Sequence, residues 1–256
     1  MSKSSYNVRC GQLDIKSNLV SKHPNLKLFR IKLSDFVQMI PNLVEFLSSD
    51  EVERADRYHF LKDKNRFIIC RGLLRFLLSN QLEITPSKIE FKKDKNKKPY
   101  LSHQKPIHFN VSHSENYALI AIGDVSVGVD VEYVSKDFDF TDILNHVFSD
   151  SEKYTIKNSS NKRRTFYNLW TRKEAFVKAT GKGISDCFAQ IPSLDDYHLI
   201  SQELLGDYQK IDVSGFDLDE DYVAALAFDA ERLTPDHISI YSLPTTYDEL
   251  LQFQTS

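Results

Sequence analysis

Two short segments constrain the fold of this chain more than any others. Tyr117-Ala-Leu-Ile-Ala-Ile and Tyr222-Val-Ala-Ala-Leu-Ala are both tyrosine-led runs of small apolar residues. Each reads as a buried strand, and each lies downstream of a long helical stretch. They sit about one small domain apart. The pair predicts two similar α+β halves with a boundary near Gly123–Ser126. Coincidence between two buried strands of common composition is the plainer alternative.

The helices are legible from spacing and caps. Ser48-Ser49-Asp50-Glu51 reads as a helix start, a small polar cap followed by acidic first-turn residues. The stretch from Glu51 to Asn80 then has few breakers. Phe67, Ile68, Leu74, Leu77 and Leu78 recur in it at helical spacing. Gly72 inside this run either costs about 1 kcal/mol or marks close packing. Phe36–Leu47 reads as partly helical and broken at Pro41. Ser149-Asp150-Ser151-Glu152 starts another helix, and the strongest pattern covers Lys162–Thr180, closed by Gly181 at the usual C′ position. Further strands are predicted at residues 6–15, Lys88–Lys92, His108–Ser112, Val127–Val131 and Tyr208–Val213.

Composition narrows the classes. The 256 residues can bury a proper core as one large domain or two small ones. Lys+Arg 33 against Asp+Glu 36 leaves a net charge of -3, so a nucleic-acid binder would need a strong local basic patch. No apolar run approaches membrane-spanning length, and the N-terminal residues do not read as a signal peptide. Cys10, Cys70 and Cys187 form no metal motif or disulfide framework, and a cytoplasmic setting is the default. With only 8 glycines, phosphate binding by a long glycine-rich loop is not expected.

Four segments carry chemistry. In Gly-Val-Asp-Val-Glu-Tyr, Asp130 and Glu132 share one face of a strand while Val129 and Val131 share the other. Two such acids repel unless something positive binds them, and their oxygens suit Mg2+. A solvated strand edge is the bland reading. On the Lys162–Thr180 helix, Glu174 and Lys178 stand one turn apart, with Trp170 on the same stripe. Alone, that is a routine surface pair worth a few tenths of a kcal/mol. In Phe-Asn-Val-Ser-His-Ser, Ser112 and His113 are adjacent on a strand and so point apart; a capped turn is the bland reading. Residues 92–98 hold five lysines, a solvated hairpin tip or a clamp for a polyanion. Arg54, Arg57, Arg66, Arg71 and Arg75 add positive charge upstream.

Together these segments resemble the 4′-phosphopantetheinyl transferases of the surfactin-synthetase-activating type. The family's G-[IV]-D-[IV]-E is similar to Gly128–Glu132, and its W-[ST]-x-K-E-[AS]-x-x-K-x-x-G-x-G to Trp170–Gly183. Its F-N-x-S-H-[ST] matches Phe109–Ser114, its G-K-P matches Lys97-Lys98-Pro99, and its arginine- and glycine-bearing helix matches Arg66 to Arg75. The resemblance covers residues 49–183 and, more weakly, the rest.

It implies an α+β pseudo-dimer, each half a small antiparallel sheet packed against a long helix. Residues 1–124 would form the half that contacts the phosphates and adenine of coenzyme A. Residues 125–256 would carry the metal-binding acids and the catalytic helix, with coenzyme A in the cleft between the halves. The implied reaction moves the phosphopantetheine arm of coenzyme A to a serine of an apo acyl or peptidyl carrier protein, an acidic four-helix domain, and releases 3′,5′-ADP. Carriers of fatty-acid, polyketide and nonribosomal-peptide biosynthesis are all candidates. The resemblance makes Asp130, Glu132 and Glu174 the ligands of Mg2+, with Mn2+ an alternative. It makes Glu174 the base for the serine, Lys178 the stabiliser of the leaving oxygens, and Ser112, His113 and Lys98 phosphate contacts. Arg54 corresponds to a basic residue near the 3′-phosphate, and Arg66 joins the coenzyme A set. The expected protein is a cytoplasmic monomer, its two halves fused in one chain, with no nucleic-acid or membrane partner.

Departures from the family pattern are Glu51, where relatives carry a basic residue; Lys97, in place of glycine; and Phe67, in place of a small polar residue. The lysines of 92–98 are the candidate replacement for the basic contact missing at Glu51. Two rival readings are a catalytically inactive coenzyme A-binding protein and a basic nucleic-acid module. The intact Asp130, Glu132, Glu174 and Lys178 argue against the first.

Overall fold

In the computed structural model, residues 6–13, 16–17, 26–183, 187–233 and 238–253 are described. Residues 14–15 of the expected first strand lie outside them. Two five-stranded sheets form the centre of the molecule. The N-terminal sheet runs Lys16–Ser17, Ser239–Ser242, Leu26–Lys32, Tyr117–Gly123, His108–Ser114. The C-terminal sheet runs Val127–Tyr133, Tyr222–Asp229, Ile211–Asp219, Val8–Gln12, Asp196–His198. The fold is therefore α+β with two sheet-and-helix subdomains.

The two tyrosine-led strands are apolar throughout because both of their faces are covered. In Tyr117–Gly123, Ala118, Ile120 and Ile122 pack into the core under the Leu61–Leu82 helix. Leu119 and Ala121 turn to the other sheet. Tyr222–Asp229 repeats the arrangement: Val223, Ala225 and Ala227 join the core of the Lys162–Thr180 helix, and Ala224, Leu226 and Phe228 meet the first sheet. The leading tyrosines themselves pack edge to face with ring centroids 4.7 Å apart. The layers run helix, sheet, sheet, helix.

The halves exchange their terminal strands. Val8–Gln12 pairs in parallel with Ile211–Asp219, inside the C-terminal sheet. Ser239–Ser242 pairs in parallel with Leu26–Lys32, inside the N-terminal sheet. Leu243 and Leu250 follow it into the N-terminal core. The chain crosses between the sheets from Tyr117–Gly123 to Val127–Tyr133, but a cut at 124/125 would remove one strand from each sheet.

Pro41 does not break a helix. A 3-10 helix over Leu33–Met39 runs into an α-helix over Ile40–Val44 with Pro41 in its first turn, where a missing N–H goes unnoticed. The Glu51–Asn80 stretch is two helices, Ser49–Asp56 and Leu61–Leu82. Gly72 marks close packing, because a Cβ there would stand 3.0 Å from the Leu43 Cβ and carbonyl oxygen. Lys97 adopts φ +67°, the left-handed turn conformation that glycine takes more easily. The strand expected at Lys88–Lys92 is shorter and later, Phe91–Lys93, paired with Pro99–Leu101 around the lysine turn.

Gly128 fixes the distance between the strand of acids and the Lys162–Thr180 helix. A Cβ on it would fall 2.2 Å from both the Ala175 carbonyl oxygen and the Ala179 amide nitrogen. Backbone on both sides cannot yield as a side chain would. Gly128→Ala is expected to cost about 3 kcal/mol of stability, read from urea denaturation. Gly11→Ala, with open space around it, is the control.

Candidate active site

Asp130 and Glu132 leave their strand on the face opposite Val129 and Val131, as alternation requires. The strand is the edge of its sheet. Across that edge lies His108–Ser114, itself the edge of the other sheet. Asn110, Ser112 and Ser114 alternate along it and accept hydrogen bonds from the amides of Val129, Val131 and Tyr133 at 2.9, 3.4 and 3.1 Å. Side chains thus take the place of a neighbouring strand.

The same hydroxyls reach the acids. Ser112 donates to Asp130 Oδ1 at 2.8 Å, and Ser114 donates to Glu132 Oε2 at 3.0 Å. From the Lys162–Thr180 helix, Lys178 Nζ donates to Asp130 Oδ1 at 2.6 Å and to Ser112 at 3.1 Å. The helix pair Glu174 and Lys178 is therefore no routine surface pair: its lysine binds the strand's acid. Trp170 turns into the core of its own half, stacked on Phe166 and tilted against Phe188.

Three carboxyls feel one ammonium, which bonds Asp130 alone. Burial pushes Asp130 up, against the pull of Lys178 and Ser112. Burial first, then Asp130, raises Glu174. Glu132 is pushed up to about 7 by burial and by the negative charge of Asp130 and Glu174. Asp130 Oδ2 and Glu174 Oε1 are buried without a hydrogen-bond partner. Hard, orphaned oxygens under mutual repulsion fit a divalent cation such as Mg2+. The acids are not gathered into a ready coordination cluster, and none of three or more His, Cys, Asp or Glu exists among the described residues.

His113 points away from its neighbours Ser112 and Ser114 and lines a cavity of about 250 Å³ with Arg54, Arg66 and Phe67. Burial and nearby Arg66 hold its imidazole below the usual range. Arg54 lies over the Phe67 ring at 4.7 Å, and Arg66 pairs with Asp63 at 2.6 Å. Lys178 and Lys98 line a second cavity of about 200 Å³ that shares Pro99 and Asn110 with the first. It bridges the lysine turn and the end of the Lys162–Thr180 helix. A larger trough of about 830 Å³ shares Arg54, Arg71 and Pro99 with the first cavity and adds Arg57, Lys92 and Lys93.

Two of the expected phosphate contacts also bind other parts of the chain. The Ser112 hydroxyl is spent on Asp130, Lys178 and the Val131 amide. The Lys98 ammonium donates to the carbonyls of Ala179 at 3.1 Å and Val127 at 3.3 Å, tying the lysine turn to the other half. Burial lowers Lys98 to about 8. Glu51 binds Arg75 at 2.5 Å and Arg71 at 3.4 Å, so its charge is used to hold a buried and a half-buried arginine at the trough wall. The sequence reading assigned no role to Asn110 and Ser114. Their polar i, i+2, i+4 alternation with Ser112 was the available sign.

Comparisons with known proteins agree on one family. Residues 126–227 match the family described as the 4′-phosphopantetheinyl transferase superfamily. Residues 35–124 match one described as 4′-phosphopantetheinyl transferase, N-terminal. A putative 4′-phosphopantetheinyl transferase of Synechocystis sp. is 36% identical over 182 residues, covering 69% of this chain and 71% of the relative. The 4′-phosphopantetheinyl transferase HetI of Nostoc sp. is 33% identical over 66% of this chain and 73% of its own. The 4′-phosphopantetheinyl transferase Sfp of Bacillus subtilis is 28% identical over 81% and 91%.

The raised carboxyls give stability a sign. An acid whose folded value is raised holds its proton more tightly folded than unfolded, so its contribution is full at acid pH and is lost as pH rises. For Glu132 the window runs from about 4.5 to about 7. With divalent cations chelated, the melting temperature should fall across that window. Glu132→Gln should flatten the fall and melt above wild type at pH 7.5, measured by scanning calorimetry.

Proposed function

Because the chain belongs to the 4′-phosphopantetheinyl transferase superfamily, we propose that it transfers the phosphopantetheine arm of coenzyme A to a serine of an apo carrier protein. The reading is carried by the 2.6 Å contact between Lys178 and Asp130. That contact brings two motifs forty-odd residues apart in sequence to one point between the halves.

The chain's own residues supply most of what the reaction needs. Serine is a weak nucleophile and requires a base within hydrogen-bond reach. Glu174, with one buried oxygen unpartnered, takes the serine proton in this proposal. The serine Oγ bonds to the β-phosphorus of coenzyme A as the bond to the 3′,5′-ADP oxygen breaks. Lys178 offsets the charge that collects on that leaving oxygen. His113 and Arg66 face the first cavity and hold phosphate oxygens there. Arg54, with Arg57, Lys92 and Lys93 along the trough, receives the 3′-phosphate end in place of the cation that Glu51 does not provide. Bound at Asp130, Glu132 and Glu174, Mg2+ or Mn2+ would neutralise the pyrophosphate. The partner is an acyl or peptidyl carrier protein whose acidic surface meets the local cations of a chain with net charge -3.

The test is incubation of apo carrier proteins with coenzyme A and Mg2+, read by mass spectrometry. Gain of one phosphopantetheine per carrier supports transfer; no gain with several carriers and with either Mg2+ or Mn2+ overturns it. Asp130→Ala and Glu174→Ala should each lower turnover by at least about a hundredfold with the thermal transition retained. Near-wild-type turnover in Glu174→Ala would remove the base assignment. Arg57→Ala with Lys93→Ala should raise the KM for coenzyme A about tenfold and leave that for 3′-dephospho-coenzyme A unchanged.

A further inference from the structure

We propose that Ser114 is a positioning residue for the transfer reaction, holding Glu132 from across the seam between the halves. The inference rests on the reading above. Ser114 Oγ donates to Glu132 Oε2 at 3.0 Å and accepts from the Tyr133 amide at 3.1 Å. One hydroxyl thereby sets both the acid and the backbone that carries it. Ser112 does the same one step along, donating to Asp130 at 2.8 Å and accepting from the Val131 amide at 3.4 Å.

The two acids differ in what else holds them. Asp130 has the Lys178 ammonium at 2.6 Å as well as Ser112. Glu132 has Ser114 as its one side-chain hydrogen-bond partner among the described residues. It also stands under repulsion from Asp130 and Glu174. Without the hydroxyl, only the attraction of the Lys178 ammonium, which is itself bonded to Asp130, opposes that repulsion, and no hydrogen bond from a side chain holds the carboxylate in place. Ser114 touches neither cavity that would hold coenzyme A. Its loss should therefore act on turnover and on cation binding and spare coenzyme A affinity. The partners that orient a metal-binding carboxylate typically contribute 10- to 100-fold to activity or metal affinity.

The experiment uses the full chain and two readouts, steady-state transfer kinetics and the Mn2+ midpoint of a thermal-shift titration. Ser114→Ala should lower kcat about tenfold, leave the KM for coenzyme A within about twofold, and raise the Mn2+ midpoint about tenfold. Threonine and valine are nearly isosteric and differ in the hydroxyl. Ser114→Thr should therefore stay near wild type and Ser114→Val should follow Ser114→Ala. Wild-type values in Ser114→Ala overturn the proposal, as does a Ser114→Thr as impaired as Ser114→Val, which would point to shape alone. If the wild-type chain transfers nothing to any carrier, the proposed function fails on its own. The Mn2+ midpoints of the Thr and Val variants then still decide the role of Ser114.

Discussion

The seam between two sheet edges is the interaction on which the remaining architecture depends. Val127–Tyr133 is an edge strand, and every second amide of an edge strand lacks a sheet partner. Buried without partners, those amides would each cost a free energy comparable to a lost hydrogen bond. Asn110, Ser112 and Ser114 satisfy them from the opposing sheet. Because Ser112 and Ser114 also hold Asp130 and Glu132, the joint between the halves and the geometry of the acids are one network. The apolar layer of Val127, Val129, Val131, Leu119 and Leu226 behind it keeps the seam dry on one side.

The metal-binding candidates and the cations of the site stand in different surroundings. Asp130 sits deep at 2% exposure, with Glu132 and Glu174 half-buried beside it. The cations of Arg54, Arg57, Lys92 and Lys93 line an open trough that Asp50, Glu51 and Glu90 also line. A net charge of -3 conceals both. Glu51 illustrates how one substitution redistributes such a field. It departs from the basic residue expected by family resemblance, and it spends its charge binding Arg71 and Arg75. Two arginines are thereby fixed at the wall, and the ligand-facing charge passes to their neighbours. Lys98 adds a tie of its own, from the lysine turn to the backbone carbonyls of Val127 and Ala179.

Much of the fold was legible. Capping residues placed the start of Ser49–Asp56, and Lys162–Thr180 ends at Gly181 with φ +69°. Alternation put Asp130 and Glu132 on one face. What escaped the reading depended on long-range pairing. Val8–Gln12 joins Ile211–Asp219 across about two hundred residues, and no local pattern distinguishes a strand that stays in its own half from one that crosses. Pro41 misled for a different reason: one residue has opposite effects in a first turn and in a helix interior.

Local pattern sufficed for most of the elements, for the sharing of a face by the two acids, and for the spacing of Glu174 and Lys178. These follow from periods of 2.0 and 3.6 residues, which are properties of backbone geometry alone. Only the tertiary structure decided that Lys178 bonds Asp130 and leaves Glu174 with a bare oxygen. It likewise decided that Ser112 faces an acid and that the terminal strands change places. Those outcomes depend on which edges and faces meet. That is settled by burying both sides of two apolar strands at once, a requirement no single segment expresses.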